Sequence, residues 1–254
     1  MNNVLTPAVN INRKWKLAAY LFYPTGVIRI WKSKRKLWLR LLYTIIGLPL
    51  FLAVVLFVGI TGFAVFLPPL DMTVGNRPDR TIYNSNGNYK STLLKTGAET
   101  NGAYELIKVE VEPHGGNEWH YHKNFEEHFT VLKGTAKVGK NGQEYLVKQG
   151  DSATAYKREM HYFANPTDST IQLLVRATPA RGLEKSIRVV YGLANDGQFN
   201  GPITKNPWHM ALLLGYSGTY LPNIPGFIQE PLVDALAKIA QWKGEDKSIE
   251  KYFK

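Results

Sequence analysis

The stretch G-G-N-E-W-H-Y-H-K-N-F-E-E-H-F-T-V-L-K-G, Gly115 to Gly134, decides how this chain is read. His120 and His122 stand two apart. In an extended chain residues i and i+2 point to the same face, so both imidazoles aim at one point. Glu127 follows after a short polar gap, and a strand-like run, Phe129 to Leu132, then ends at Gly134. A carboxylate returning on the next strand adds an oxygen to the two nitrogens. Mixed N/O sets of this kind suit Fe, Mn, Ni, Zn or Cu. A lone H-x-H in a strand is also ordinary surface chemistry, so the pair needs further donors before it means a metal site.

A fourth donor stands downstream in G-D-S-A-T-A-Y-K-R-E-M-H-Y-F-A-N, Gly150 to Asn165, where His161 precedes Asn165. Together the two stretches resemble the two motifs of the cupin superfamily. The first of these spaces a glycine, an H-x-H pair, a glutamate and a second glycine; the second runs from a glycine through P-x-G to a histidine and an asparagine. His120, His122, Glu127, Gly134, Gly150, His161 and Asn165 fall in place. The leading glycine sits one residue late at Gly115, with His114 in its slot. Tyr156 and Arg158 replace the proline and glycine of the second motif. Those departures affect a turn and leave the ligand set whole.

Glu126 competes with Glu127, and Glu127 is favoured because six residues then separate it from Gly134. The short gap from Gly134 to Gly150 is similar to that of compact single-domain bacterial cupins. The resemblance implies a double-stranded β-helix, a jelly-roll barrel, in which His120, His122, Glu127 and His161 bind one divalent transition metal. Fe or Mn is expected first, with Zn or Ni as alternatives, and a homodimer is the assembly common among such proteins. His128 alternates to the opposite face, and His114 and His209 read as structural.

The 254 residues include no cysteine, which excludes disulfides and thiolate ligands. The net charge of +11 is unevenly placed: nine Lys or Arg and no acid precede Asp71, which leaves 31 − 9 = 22 basic against 20 acidic residues after it. A nucleic-acid surface needs its cations on the folded domain. That domain is nearly neutral here, so no nucleic-acid partner is expected and the charge belongs to a membrane-proximal segment.

Leu41 to Leu67 is a run of 27 uncharged residues. As a helix it reaches about 40 Å, enough for one tilted crossing of a hydrocarbon core of roughly 30 Å. Pro49 and the glycines are tolerated in such a helix. The charged region ahead of it and the length of the apolar core favour an uncleaved anchor over a signal peptide. The cations before it keep the N-terminus cytoplasmic and send the rest across. Upstream, residues 1–12 read as loose, and the interrupted apolar run from Lys16 to Trp31 suits an interfacial or re-entrant segment.

From Asp71 the composition turns to soluble, turn-rich β. Strands are expected at 81–83, 104–111, 118–121, 128–132, 135–138, 152–155, 161–164, 171–176 and 187–191. A hairpin is expected around Asn141-Gly142, between T-A-K-V-G-K and Q-E-Y-L-V-K. Helices at 208–214 and 231–242 are expected to pack on the outside of the barrel. The organisation is then a basic segment 1–40, a spanning helix 41–70, a mainly β barrel 71–192 and a helical extension 193–254.

Alternation places Phe129 and Val131 on the side of Glu127, and Phe163 on the side of His161. Phe129 and Phe163 are therefore expected to line a substrate pocket with one polar end, and Tyr156, at its motif position close in sequence to His161, is expected to join them. A metal with four protein ligands keeps open positions for water, dioxygen or an oxygen-bearing substrate. Three classes of function follow: a dioxygenase-like oxidoreductase, with decarboxylation, isomerisation or hydrolysis on the same ligands; a non-catalytic ligand-binding module; and a membrane-tethered interaction domain. Glu118, Tyr104 and Tyr156 are the candidates for a second titratable group near the metal.

Overall fold

The structure, a computed structural model, describes residues 22–254. The expectations for residues 1–21, including the start of the interfacial segment, lie outside the described residues. Compactness divides the chain into Met1–Ile60 and Thr61–Lys254, a cut that falls inside one long helix.

In the first unit helix α1 (Tyr23–Lys32) lies against the start of α2 (Leu37–Val65). Pro24 sits in the first turn of α1, where its missing N–H costs nothing. The Tyr23 hydroxyl donates to the Thr44 carbonyl at 2.9 Å, and the Trp31 indole N–H reaches Thr44 Oγ1 at 3.0 Å. Tyr23 also stacks on Phe51 with ring centroids 5.5 Å apart. The Arg40 guanidinium folds back onto the Ser33 carbonyl at 2.7 Å and closes the turn between the helices. Helix α2 is long and apolar enough to cross a membrane, and its most apolar window buries nothing.

The second unit is a β-sandwich with helices after it. Its strands are β1 (Thr81–Asn84), β2 (Tyr89–Lys95), β3 (Glu105–Val111), β4 (Tyr121–His122), β5 (Glu126–Lys133), β6 (Thr135–Lys140), β7 (Gln143–Lys148), β8 (Ser152–Ala155), β9 (His161–Ala164) and β10 (Ile171–Thr178). One sheet runs β1-β2-β3-β10-β5-β8, and a second runs β7-β6-β9. Period-two burial makes the core. Ile107, Val109 and Val111 on β3 alternate with the half-buried Lys108 and Glu110, and Ile171, Leu173 and Val175 on β10 alternate with the less buried Gln172, Leu174 and Arg176. Register stacks them in layers: Val175 faces Ile107 and Phe129, and Leu173 faces Val109 and Val131. The hairpin at Asn141-Gly142 forms as expected, with φ of 50° and 77°, the left-handed pair that a type I′ turn requires.

Strand β2 was not expected from the sequence. The polar run Asn84 to Asn88 before it masks the inward alternation of Tyr89, Ser91 and Leu93.

The strand expected at 187–191 is instead part of a helix, α3 (Leu183–Asn195). The error has a physical cause. Ile187, Val189 and Tyr191 alternate with polar or half-buried neighbours because α3 serves two cores at once. Leu183, Ile187 and Tyr191, spaced by four, pack into the barrel. Val189 and Leu193 pack on the opposite side against the C-terminal helices. Gly182 starts α3 at φ 79°, and a Cβ there would stand 2.5 Å from the Tyr216 carbonyl. Glu105 caps this helix end, its Oε1 accepting the Glu184 N–H at 3.1 Å. Residues 192 and 193, on either side of the expected boundary between barrel and extension, both lie in α3.

Two short strands, β11 (Phe199–Asn200) and β12 (Ile203–Thr204), precede α4 (Pro207–Ser217). Strand β13 (Thr219–Tyr220) then pairs with β4. Helix α5 (Gly226–Trp242) and a 3-10 helix (Glu245–Tyr252) close the chain.

Candidate metal centre

Three short segments bring four side chains together. His120 and His122 flank Tyr121 where the chain runs beside β9, held by the paired backbone bonds between His120 and His161. Glu127 opens the inward row of β5, and His161 opens β9. Their ligand atoms all lie within 4.8 Å of one another. His120 Nε2 is 3.2 Å from His122 Nε2, and Glu127 Oε2 is 3.5 Å from His122 Nε2 and 2.9 Å from His161 Nε2. Glu126, half-buried, and His128, exposed, alternate to the other face of β5, so Glu127 is the carboxylate that joins the three histidines.

The outer ring nitrogens are held as a metal site needs. His120 Nδ1–H donates to the Glu118 carbonyl at 2.7 Å, and His161 Nδ1–H donates to the Glu159 carbonyl at 2.8 Å. His122 Nδ1 lies 3.1 Å from Thr219 Oγ1, which in turn bonds Ser217 Oγ. Each Nε2 is thereby turned toward the cluster centre. Burial and then the neighbouring histidines hold His120 well below the ordinary imidazole range. Burial also lowers His122, against the pull of Glu127. Burial opposes an ionised Glu127, but the His122 and His161 rings more than reverse this and hold it well below the usual carboxylate range. For His161, burial is outweighed by the bond to Glu127, and its proton is held above the ordinary range. Three nitrogens and one carboxylate oxygen, fixed by their outer partners, fit a divalent transition metal.

The cluster opens on a cavity of about 160 Å³ between the barrel and α3. Of the residues expected to bind substrate, Phe163 lines it. Phe129 stands outside the lining, with its ring 6.0 Å from that of His161. Tyr156 does not belong to the site: it lies in the turn after β8, 58% exposed, with Lys140 5.1 Å from its ring. Neither Tyr104, stacked under Arg176, nor the exposed Glu118 side chain reaches the ligands. The hydroxyls that do line the cavity are Tyr89, Ser91, Ser186, Tyr191, Ser217 and Thr219, with the Asn117 amide beside them. The inward alternation of Tyr89 and Ser91 was the one available signal for any of them.

The turn that departs from the second motif is explained by the C-terminal extension. Arg158 adopts φ 64°, the left-handed conformation open to the glycine it replaces. Its N–H donates to the His122 carbonyl at 2.7 Å, and its guanidinium pairs with Glu230 of α5, whose side chain is buried. Asn165 is structural, its amide donating to the Val111, Glu112 and Ser169 carbonyls.

Fold and site together define a jelly-roll barrel with a largely buried three-histidine, one-glutamate cluster inside it. Residues 107–175 match the family model of the Cupin domain, and this stretch belongs to the cupin superfamily. A protein of Aquifex aeolicus (strain VF5) is 33% identical over 70 residues, a match covering 28% of this chain and 57% of that one. The chain thus spans little more than half the length of that relative. Among solved structures, a predicted oxalate decarboxylase from Thermotoga maritima is similar at 19% identity with a TM-score of 0.38, covering 42% of this chain and 98% of that one. KdgF from Halomonas sp. is similar at 14% identity with a TM-score of 0.37, covering 44% and 96%.

Proposed function

We propose that this chain is a membrane-anchored, metal-dependent enzyme acting on a small organic molecule inside the barrel. One Fe or Mn ion would be held by His120, His122, Glu127 and His161, with dioxygenase-like oxidation as the reaction class. The observation that carries the reading is the ligand cluster itself: four donors, three of them buried and His120 half-buried, each imidazole fixed by an outer partner, facing a cavity. When bound, the ion supplies a Lewis acid and a redox centre with coordination positions left for oxygen donors.

The chain's own residues do the rest. Ile107, Val109, Phe163, Val175 and Ile187 wall the cavity with apolar surface and exclude water. Asn117 Oδ1 accepts the Phe163 N–H at 2.8 Å, which leaves its NH₂ group to orient a substrate oxygen. A second reading, a decarboxylase or isomerase, is favoured by Tyr89 and Tyr191. Burial raises both phenols above their ordinary range, so they stay protonated and can donate hydrogen bonds to a carbonyl or enolate oxygen.

The membrane role rests on α2 and on the nine cations that precede Asp71. The N-terminus would be cytoplasmic and the barrel extracytoplasmic. Protease added to right-side-out vesicles should digest the barrel; protection until lysis would reverse the orientation. The functional test is metal content and oxygen consumption of the purified full chain with a panel of small organic acids. Near one Fe or Mn per chain with oxygen-dependent turnover supports oxidation. Zn or Ni with oxygen-independent product moves the assignment to the second reading. A bound metal without turnover leaves a binding module.

A further inference from the structure

One wall of the cavity comes from outside the matched 107–175 segment. Leu183, Ser186, Ile187, Val190 and Tyr191 of α3 enter it from the chain that follows the barrel. The Tyr191 hydroxyl lies 3.3 Å from Ser91 Oγ, and its ring meets Tyr89 edge-on with centroids 5.5 Å apart. Tyr89, Ser91 and Tyr191 are all buried, so this hydroxyl group is shielded from bulk water. Among the described residues the lining holds no Lys or Arg, and its charged or chargeable groups are the ligands and the phenols.

The consequence follows from the cost of burying charge. An anion at the metal end finds the ion; an anion at a second position meets hydroxyls and hydrocarbon, with no cation to balance it. A neutral hydroxyl or carbonyl there finds hydrogen-bond partners instead. Size adds a limit, since a cavity of about 150 Å³ accommodates a molecule of benzene's size, close to the cavity here.

We infer that the site selects a small monoanion, no larger than a single aromatic ring. Its acidic group faces the metal, and its other end is a neutral hydroxyl or carbonyl hydrogen-bonded by Tyr191 and Ser91. Dianions such as dicarboxylates are rejected. Tyr191 is then a specificity-determining residue supplied by the extension. This inference rests on the metal-site reading above.

The test compares two probes that share a four-carbon chain with a carboxylate at one end, 4-hydroxybutanoate and succinate. Calorimetry measures their binding to the metal-loaded full chain and to Tyr191→Phe, which keeps the ring contact with Tyr89. Metal content is measured on each sample. The expected result is one metal per chain in both proteins and at least about tenfold tighter binding of the hydroxy acid by the wild type. That preference should fall by about tenfold in Tyr191→Phe, the loss expected for one hydrogen bond. Equal or tighter binding of succinate, no binding of either probe, or an unchanged preference in the variant, each with the metal in place, would overturn the inference and leave the metal site standing. Absence of metal from the wild type would overturn the metal-site reading itself.

Discussion

The two walls of the cavity are built by different kinds of sequence. On the barrel wall each strand serves one core. Glu127, Phe129 and Val131 therefore alternate cleanly with outward residues, and the ligands stand at readable spacings. On the helix wall α3 serves two cores, with Leu183, Ile187 and Tyr191 on one side and Val189 and Leu193 on the other. The barrel wall supplies the metal donors, and the helix wall supplies the closure and a hydroxyl. The comparison separates what holds a metal from what selects a ligand, and substitutions on either wall should divide along that line.

The largest effect is expected on the barrel wall. Glu127→Gln removes the sole carboxylate donor and the charge that balances the ion. Metal affinity should fall by more than about 100-fold, beyond the 10–100-fold typical when only an outer partner is lost. Competition with a chromophoric chelator measures this, and a loss under tenfold would move the carboxylate out of the ligand set.

Glu105 joins the two walls, since it lies on β3 and caps α3. Burial pushes its carboxyl up from 4.5 to about 7. The folded state therefore binds more protons than the unfolded state across this interval, and stability falls as pH rises from about 4.5 to 7. At pH 8 the buried charge costs at most about 3 kcal/mol. Glu105→Gln keeps an acceptor for the Glu184 N–H without that charge. It should raise the unfolding midpoint at pH 8 and leave it nearly unchanged at pH 4.5. A fall at pH 8 would mean that the negative charge on the helix end outweighs its burial.

Much of the barrel wall was legible. The side chains of His120, His122, Glu127 and His161 come together as the resemblance implied, and the hairpin at Asn141-Gly142 forms where its sequence placed it. Tyr156 misled because a motif position was read as a place in the pocket, whereas the chain turns outward there. Tyr191 was hidden because its period-two neighbours imitate a strand. Thr219 was hidden because it reaches His122 from 97 residues away, and no local pattern carries that distance.

That long-range contact gives a smaller effect. Thr219→Ala frees His122 Nδ1 from its partner and should weaken metal binding by about tenfold while leaving stoichiometry intact. An unchanged affinity would show that the extension closes the cavity without tuning the ligands.

The smallest effect is on pH dependence. His120 and His122 are held below the ordinary imidazole range and do not carry protons near pH 7, whereas His161 is held above it. Metal binding near neutrality should therefore release about one proton. Affinity should rise about tenfold per pH unit until His161 loses its proton, and then level off. A release of two or more protons, read from calorimetry in buffers of different ionisation enthalpy, would contradict this division among the histidines.

The central claim is most directly tested by elemental analysis of the purified full chain beside a His120→Ala/His122→Ala variant, both after reconstitution with Fe(II) or Mn(II). The account predicts close to one metal per wild-type chain and less than about a tenth of that in the variant. Equal metal in both, or none in the wild type, would contradict it.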